Sequence, residues 1–216
     1  MAFCTYCGVP NPETSDHIPP KTIFAKPYPP NLLTVPCCTK CNNNMSKDDE
    51  YFRNMLAFRM DLKENSDVQS LLPKVLRSLG RPEHGKFTKY LIDSSLIEQI
   101  RLEDGSYTDI GIHTSDKLRI DKVVARIARG VYRHETGDIF PIDGEIKSYS
   151  LEDDIIKSNN KILIWEDLLL NSQKQVIGQN IFIYRMLFGN EKHVGIGLFT
   201  FFNKVSFFIT FTPYST

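Results

Sequence analysis

Hydrophobic and polar residues are arranged differently in three parts of the chain. Residues 1 to about 46 show no regular apolar period and are rich in Cys, Pro and Asn, which is typical of short strands and turns. Ser46 and Asp49 then form a capping box, and the apolar residues that follow recur at helical spacing. We therefore expect a helix that begins near Ser46 and ends near Glu64.

The rest of the chain changes from helical to strand-like periodicity. Residues 67–136 are mostly helical in pattern, and their clearest segment is "DKLRIDKVVARIARGVYRHETG". From about 161 to 212, short segments rich in β-branched and aromatic residues favour antiparallel strands. They are "KILIW", "NIFIYRMLF", "HVGIGLFTFF" and "KVSFFITF", with a turn expected at Phe202–Lys204. The predicted fold class is α+β, with an N-terminal module, a helical middle and a C-terminal antiparallel sheet.

The composition is that of a globular protein and narrows the choice of partners. Of the 216 residues, 41% are hydrophobic and 24% are charged, and basic and acidic residues balance at 26 each. Because the net charge is zero, nucleic-acid binding would need a local basic patch. The sequence opens without a signal-peptide pattern, and Asn203 and Lys204 interrupt its longest apolar region. We therefore expect a cytoplasmic protein without a membrane span.

All five cysteines lie in the first fifth of the chain and suggest a metal site. Cys4 and Cys7 form one C-x2-C pair, and Cys38 and Cys41 form another. Four thiolates are the ligand set of a closed, tetrahedral structural Zn2+ site, which has no open position at which to activate water. Cys37 could replace Cys38 in a C-x3-C pair, but the equal spacing of the two pairs favours Cys38.

Segments between and within the cysteine pairs resemble a known nuclease motif. "DHIPPKTIF" lies between the pairs, and "NLLTVPCCTKCNNNMSKDDEYF" contains the second pair. With the first pair, they resemble the HNH endonuclease family, in particular members whose ββα-metal motif is framed by four zinc-binding cysteines. The resemblance covers residues 4 to about 53. It implies an HNH module over residues 1–64, followed by an α+β region over 65–216 of unknown role.

The resemblance also implies a catalytic site beside the structural zinc. His17 corresponds to the general base, and Asp16 and Asn42 correspond to the ligands of a catalytic Mg2+ or Mn2+. Asn31 corresponds to the asparagine that stabilises the loop and orients the histidine. The chemistry agrees, because amide and carboxylate oxygens suit these cations and a histidine that titrates near neutrality can take a proton from water. Lys21 is either a phosphate contact or a solvated lysine.

Basic residues line one side of the predicted helix in the middle of the chain. Their spacing of 3, 4, 3 and 4 residues collects them within one narrow face; they are Arg119, Lys122, Arg126, Arg129 and Arg133. Two interpretations are open. The face either contacts nucleic-acid phosphates without reading sequence, or is a solvated face paired with acidic residues.

The sequence thus predicts a metal-dependent HNH endonuclease that hydrolyses phosphodiester bonds. The resemblance favours double-stranded DNA as the substrate, and the sequence does not separate DNA from RNA. The alternative is a zinc-stabilised nucleic-acid-binding protein without catalytic activity. For residues 65–216, substrate positioning, homodimerisation and regulation are all open.

Overall fold

A computed structural model describes residues 2–81, 88–89, 95–101, 104–191 and 193–213. The helices are α1 (Thr39–Ala57), α2 (Ser66–Leu79), α3 (Lys117–Thr136), α4 (Asp154–Lys157) and α5 (Asn160–Leu170). The strands are β1 (Thr14–Ile18), β2 (Leu33–Cys37), β3 (Ser95–Arg101), β4 (Tyr107–His113), β5 (Glu145–Ser150), β6 (Gln175–Ile177), β7 (Phe182–Phe188), β8 (Gly195–Phe201) and β9 (Val205–Thr212). The predicted α+β class is confirmed. Among the described residues, no helix is both long and apolar enough to cross a bilayer.

The N-terminal part is an antiparallel hairpin followed by a helix. In the β1–β2 hairpin, His17 lies opposite Thr34. Helix α1 begins at Thr39, so the predicted start near Ser46 is wrong. The reason is that Cys38 caps this helix: its Sγ accepts a hydrogen bond from the Cys41 amide, whereas Ser, Thr, Asp and Asn are the usual capping residues. The helix also ends earlier than expected, at Ala57.

The C-terminal sheet is antiparallel with the strand order β5-β9-β8-β7-β6. Strands β7, β8 and β9 coincide with three predicted segments, and the turn between β8 and β9 has positive φ angles of 52° at Phe202 and 58° at Asn203. The prediction of a strand at "KILIW" is wrong, because this segment belongs to α5. Ile162 and Leu169, seven residues apart, give this helix a buried side against the sheet.

The middle of the chain is less helical than predicted. Strands β3 and β4 pair antiparallel between α2 and α3, so the prediction of a mostly helical stretch over 67–136 is wrong for Ser95–Arg101 and Tyr107–His113. Residues 82–87, 90–94 and 102–103 of that stretch lie outside the described residues. Helix α3 agrees with its sequence pattern: Asp116 caps its beginning, and Gly137, with a φ of 74°, ends it in a left-handed conformation.

The main hydrophobic core joins both predicted regions of the chain. It includes residues from the hairpin, from α1 to α3 and from the C-terminal sheet. Phe52 of α1, for example, makes an edge contact with Phe201 of β8 at 5.1 Å between ring centroids. Helix α3 packs directly against β1. The absence of a side chain at Gly130 allows this close approach, since a Cβ atom there would overlap the Ile18 side chain. This close approach brings the basic face of α3 to the strand that carries Asp16 and His17.

Candidate functional site

Four cysteine thiols meet at one end of the hairpin. The Sγ atoms of Cys4, Cys7, Cys38 and Cys41 all lie within 4.8 Å of one another. The Cys7 and Cys38 sulfurs are 3.7 Å apart. A zinc–sulfur bond of about 2.3 Å gives a tetrahedron with edges of about 3.8 Å, so this spacing suits a metal ion bound by four sulfurs. The cluster could therefore hold a metal ion.

Cys37 does not belong to this group of four, although it is adjacent to Cys38. Its buried Sγ donates a hydrogen bond to the carbonyl oxygen of Cys38 at 3.4 Å. Burial raises the pKa of the Cys37 thiol to about 12, which keeps it protonated. The four cysteines that the structure brings together are thus the set favoured by their spacing, with Cys38 instead of Cys37.

Asp16 is buried in an ion-pair network between three elements. One carboxylate oxygen, Oδ2, accepts hydrogen bonds from the Tyr6 hydroxyl at 2.6 Å and from Arg126 of α3 at 3.2 Å. The other, Oδ1, accepts the amide hydrogen of His17 at 2.9 Å. Arg126 also bonds to Asp49 of α1, so one guanidinium joins β1, α1 and α3. Asp16 and Arg126 are each only 6% exposed.

Asp49 has an unusually high proton affinity for an aspartate. Burial raises the pKa of its carboxyl to about 7, and the charge of Asp16 acts in the same direction. Arg126 opposes this shift but is shared between two carboxylates.

We expect the pKa of Asp49 to make stability depend on pH. The unfolded chain loses this proton near pH 3.8 and the folded chain near pH 7. The stabilisation is therefore complete below about pH 4 and is lost as the pH rises through about 7. Because other groups titrate in this range, the useful quantity is the difference in the free energy of unfolding between wild type and Asp49→Asn. This difference should change between pH 4 and 7, and a difference that stays constant over that range would contradict the prediction.

His17 lies on the other side of the hairpin from Asp16. Side chains alternate along a strand, and the burial of β1 alternates with them: Asp16 and Ile18 are buried, whereas His17 is partly exposed. The imidazole makes no hydrogen bond within the described part of the chain. Partial burial lowers the pKa of His17, and the nearby charge of Lys21 lowers it further. The ring is therefore neutral at pH 7 and able to accept a proton.

The two candidate asparagines lie in different surroundings. Asn42, in the first turn of α1, donates a hydrogen bond to the Thr14 hydroxyl at 3.3 Å, which puts it on the same face of the hairpin as Asp16. The amide of Asn31 donates to the carbonyl of Val176 at 2.7 Å and accepts from the amide of Gly178 at 3.3 Å. Asn31 thus ties its loop to β6 and makes no hydrogen bond with His17.

This arrangement does not fit a Mg2+ or Mn2+ ion between Asp16 and Asn42. A carboxylate ligand of such an ion needs an accessible oxygen. The Oδ2 atom of Asp16 is already shared by Tyr6 and the positively charged Arg126, and the side chain is almost fully buried. The donor chemistry is suitable, but the position of a cation beside Asp16 is taken by a guanidinium.

The basic residues of α3 differ in their surroundings, and only some of them face solvent. Arg126 is buried with its two acidic partners. Arg119 binds Asp48, and Arg133 donates to a carbonyl at the end of its own helix. Arg129 donates to backbone carbonyls, those of Phe140, Pro141 and Gly144. Lys122 is exposed. Most of these side chains are thus used within the chain, and their proposed contact with nucleic acid stays a prediction.

Sequence reasoning missed Tyr6 and Asp49 as partners of the candidate site. The helical spacing of Met45 and Asp49 puts them on one face of α1, and both contact Arg126. That spacing was a usable signal, but the contact with α3 depends on tertiary packing.

No family model, no curated protein and no solved structure gives a significant match to this chain.

Proposed function

We propose that this chain is an HNH-type endonuclease that hydrolyses phosphodiester bonds, with DNA as substrate and His17 as the general base. One observation carries the proposal: a β-hairpin and a helix, joined at one end by four clustered cysteines, present an unbonded and partly exposed imidazole on the first strand. The order of hairpin, cysteine pair and helix is that of the motif that the sequence resembles.

The four-cysteine cluster is proposed to bind Zn2+ in a structural role. Four thiolates complete a tetrahedral zinc site, so the ion has no position for water or phosphate. Its contribution is to fix the N-terminal segment that carries Cys4 and Cys7 against the beginning of α1. Tyr6 lies between these two cysteines, and its hydroxyl thereby reaches Asp16.

In the proposed reaction, a water oxygen attacks phosphorus while the neutral imidazole of His17 takes the proton from that water. The new P–O bond forms as the bond from phosphorus to the leaving oxygen breaks, and the leaving oxygen takes a proton from solvent. Lys21 is exposed and near enough to lower the pKa of the imidazole, so a phosphate bound there would be close to both side chains. The scheme assigns no role to a divalent cation, because Arg126 occupies the position beside Asp16 that such a cation would need.

The test is cleavage of supercoiled plasmid by the full chain, with and without Mg2+ or Mn2+. We expect His17→Ala to lower the cleavage rate by about 100-fold or more, in the range typical of general bases. The rate of the wild type should rise with pH and level off below pH 6.5, since the pKa of His17 is below its usual value. Ser15→Ala, on the same exposed face of β1, is the matched control and should cleave normally.

Intact plasmid, RNA and single-stranded DNA under all these conditions would contradict the proposal. That outcome would leave the second candidate, a zinc-stabilised nucleic-acid-binding protein without catalysis. The ion pair between Asp16 and Arg126 favours this candidate, because it turns the carboxylate towards the interior. A gel-shift assay separates the two: binding of DNA by the wild type without any cleavage supports the non-catalytic protein.

A further inference from the structure

The strongest unexplained feature is a buried arginine from outside the hairpin and helix that carry the candidate site. Arg126 belongs to α3, far along the chain, yet its guanidinium lies between Asp16 of β1 and Asp49 of α1. Its position is well fixed, since it also contacts the Met45 sulfur at 3.1 Å and Gly130 of the same helix lies against Ile18.

We propose that Arg126 and a divalent cation are alternative partners of Asp16, so that α3 controls whether the site can bind a metal ion. This inference rests on the proposed function, because the nuclease motif that the sequence resembles binds its cation at the residue corresponding to Asp16. Arg126 is a positioning residue in this scheme, because it acts only through Asp16.

The exclusion follows from distance and charge. Arg126 lies 3.2 Å from Oδ2 of Asp16. A Mg2+ ion bonded to the same oxygen at about 2.1 Å would lie within about 5 Å of the guanidinium. Two positive charges that close, in a site sheltered from water, repel each other strongly. The guanidinium must therefore move away before a cation can bind at Asp16.

Charge also explains why a cation would bind once Arg126 leaves. Asp16 and Asp49 carry two negative charges when both are ionised, and Arg126 supplies the positive charge that pairs with them. Buried carboxylates without a counter-ion are costly, so they bind a proton or a metal ion. Asn42, which bonds to Thr14 on the same face of the hairpin as Asp16, is a candidate for a second oxygen ligand.

The test measures Mn2+ binding to the zinc-loaded full chain by electron paramagnetic resonance, without nucleic acid. The informative variant is Arg126→Gln with Asp49→Asn. It removes one positive and one negative charge, so the net charge of the network is unchanged when all three side chains are ionised, and circular dichroism of the variant checks that it is folded. We expect this variant to bind Mn2+ at least about tenfold more tightly than the wild type, and addition of Asp16→Asn should abolish the gain.

Two outcomes would overturn the inference. One is that the double variant binds Mn2+ no more tightly than the wild type. The second outcome is that the wild type binds Mn2+ and that Asp16→Asn alone removes this binding. That result would show that the cation and Arg126 are bound to Asp16 at the same time. Equal Mn2+ binding by the wild type and Asp16→Asn supports the exclusion. Because no cleavage is measured, failure of the nuclease proposal is recognised separately, by the plasmid assay.

Discussion

Replacement of Cys38 by serine is expected to abolish stoichiometric metal binding and to unfold the N-terminal part of the chain. Cys38 has two functions that depend on its sulfur: it belongs to the four-thiol cluster and it caps α1 by accepting the Cys41 amide. Structural zinc contributes roughly 10–16 kcal/mol of binding free energy in zinc-finger peptides, so loss of one ligand should cost several kcal/mol of stability. Metal analysis of reduced protein and a thermal unfolding curve measure both effects.

The matched control is Cys37→Ser, at the neighbouring position. Cys37 is fully buried and donates a hydrogen bond to the Cys38 carbonyl, but it is not one of the four clustered thiols. This variant should retain one metal ion per chain and lose at most about 1–2 kcal/mol, mainly through the change of a buried thiol into a hydroxyl. The reverse result, with metal lost from Cys37→Ser and retained by Cys38→Ser, would show that the ligand set is wrong.

The cysteine cluster could be predicted from sequence because its signal is local. Two pairs with equal spacing specify four ligands whatever the rest of the fold does, and the structure brings those four together. The surroundings of Asp16 could not be predicted in the same way. Its main partner, Arg126, is separated from it by 110 residues, and only the packing of α3 on β1 makes the contact. Pairings of that kind leave no pattern in a single sequence.

Secondary structure could be predicted from the sequence where the apolar period matches the pattern of buried residues in the fold, and it could not be predicted elsewhere. Strands β8 and β9 each bury one whole face and one residue of the other face, Leu198 and Phe208, and they have strong β-forming residues. Helix α5 has similar residues, since "ILIW" and "LLL" are apolar in any conformation, and a short apolar run does not distinguish a helix from a strand. The cap that Asn159 provides, through bonds to the amides of Lys161 and Ile162, was the signal that favoured a helix.

Replacement of Phe52 by alanine is expected to destabilise the hairpin region and the C-terminal sheet together. Phe52 is 1% exposed, and its ring contacts those of Phe201 and Phe207 at centroid distances of 5.1 and 6.4 Å. Truncation of a buried phenylalanine typically costs about 3–5 kcal/mol, because contacts are lost and a cavity is left. Here the cavity would lie between α1 and strands β8 and β9. The substitution therefore weakens the packing between residues 1–64 and the C-terminal sheet.

Two probes can show whether these regions unfold as one unit. Trp165, the only tryptophan, stacks on Phe208 of the C-terminal sheet and reports on that sheet by fluorescence. A chromophoric chelator reports on release of metal from the cysteine cluster. We expect both transitions of Phe52→Ala to shift together to lower denaturant concentration, while Phe58→Ala, just after α1 and 43% exposed, should shift neither by more than about 1 kcal/mol. Shift of the metal-release transition alone would show that residues 1–64 unfold independently of the sheet, in spite of the shared core.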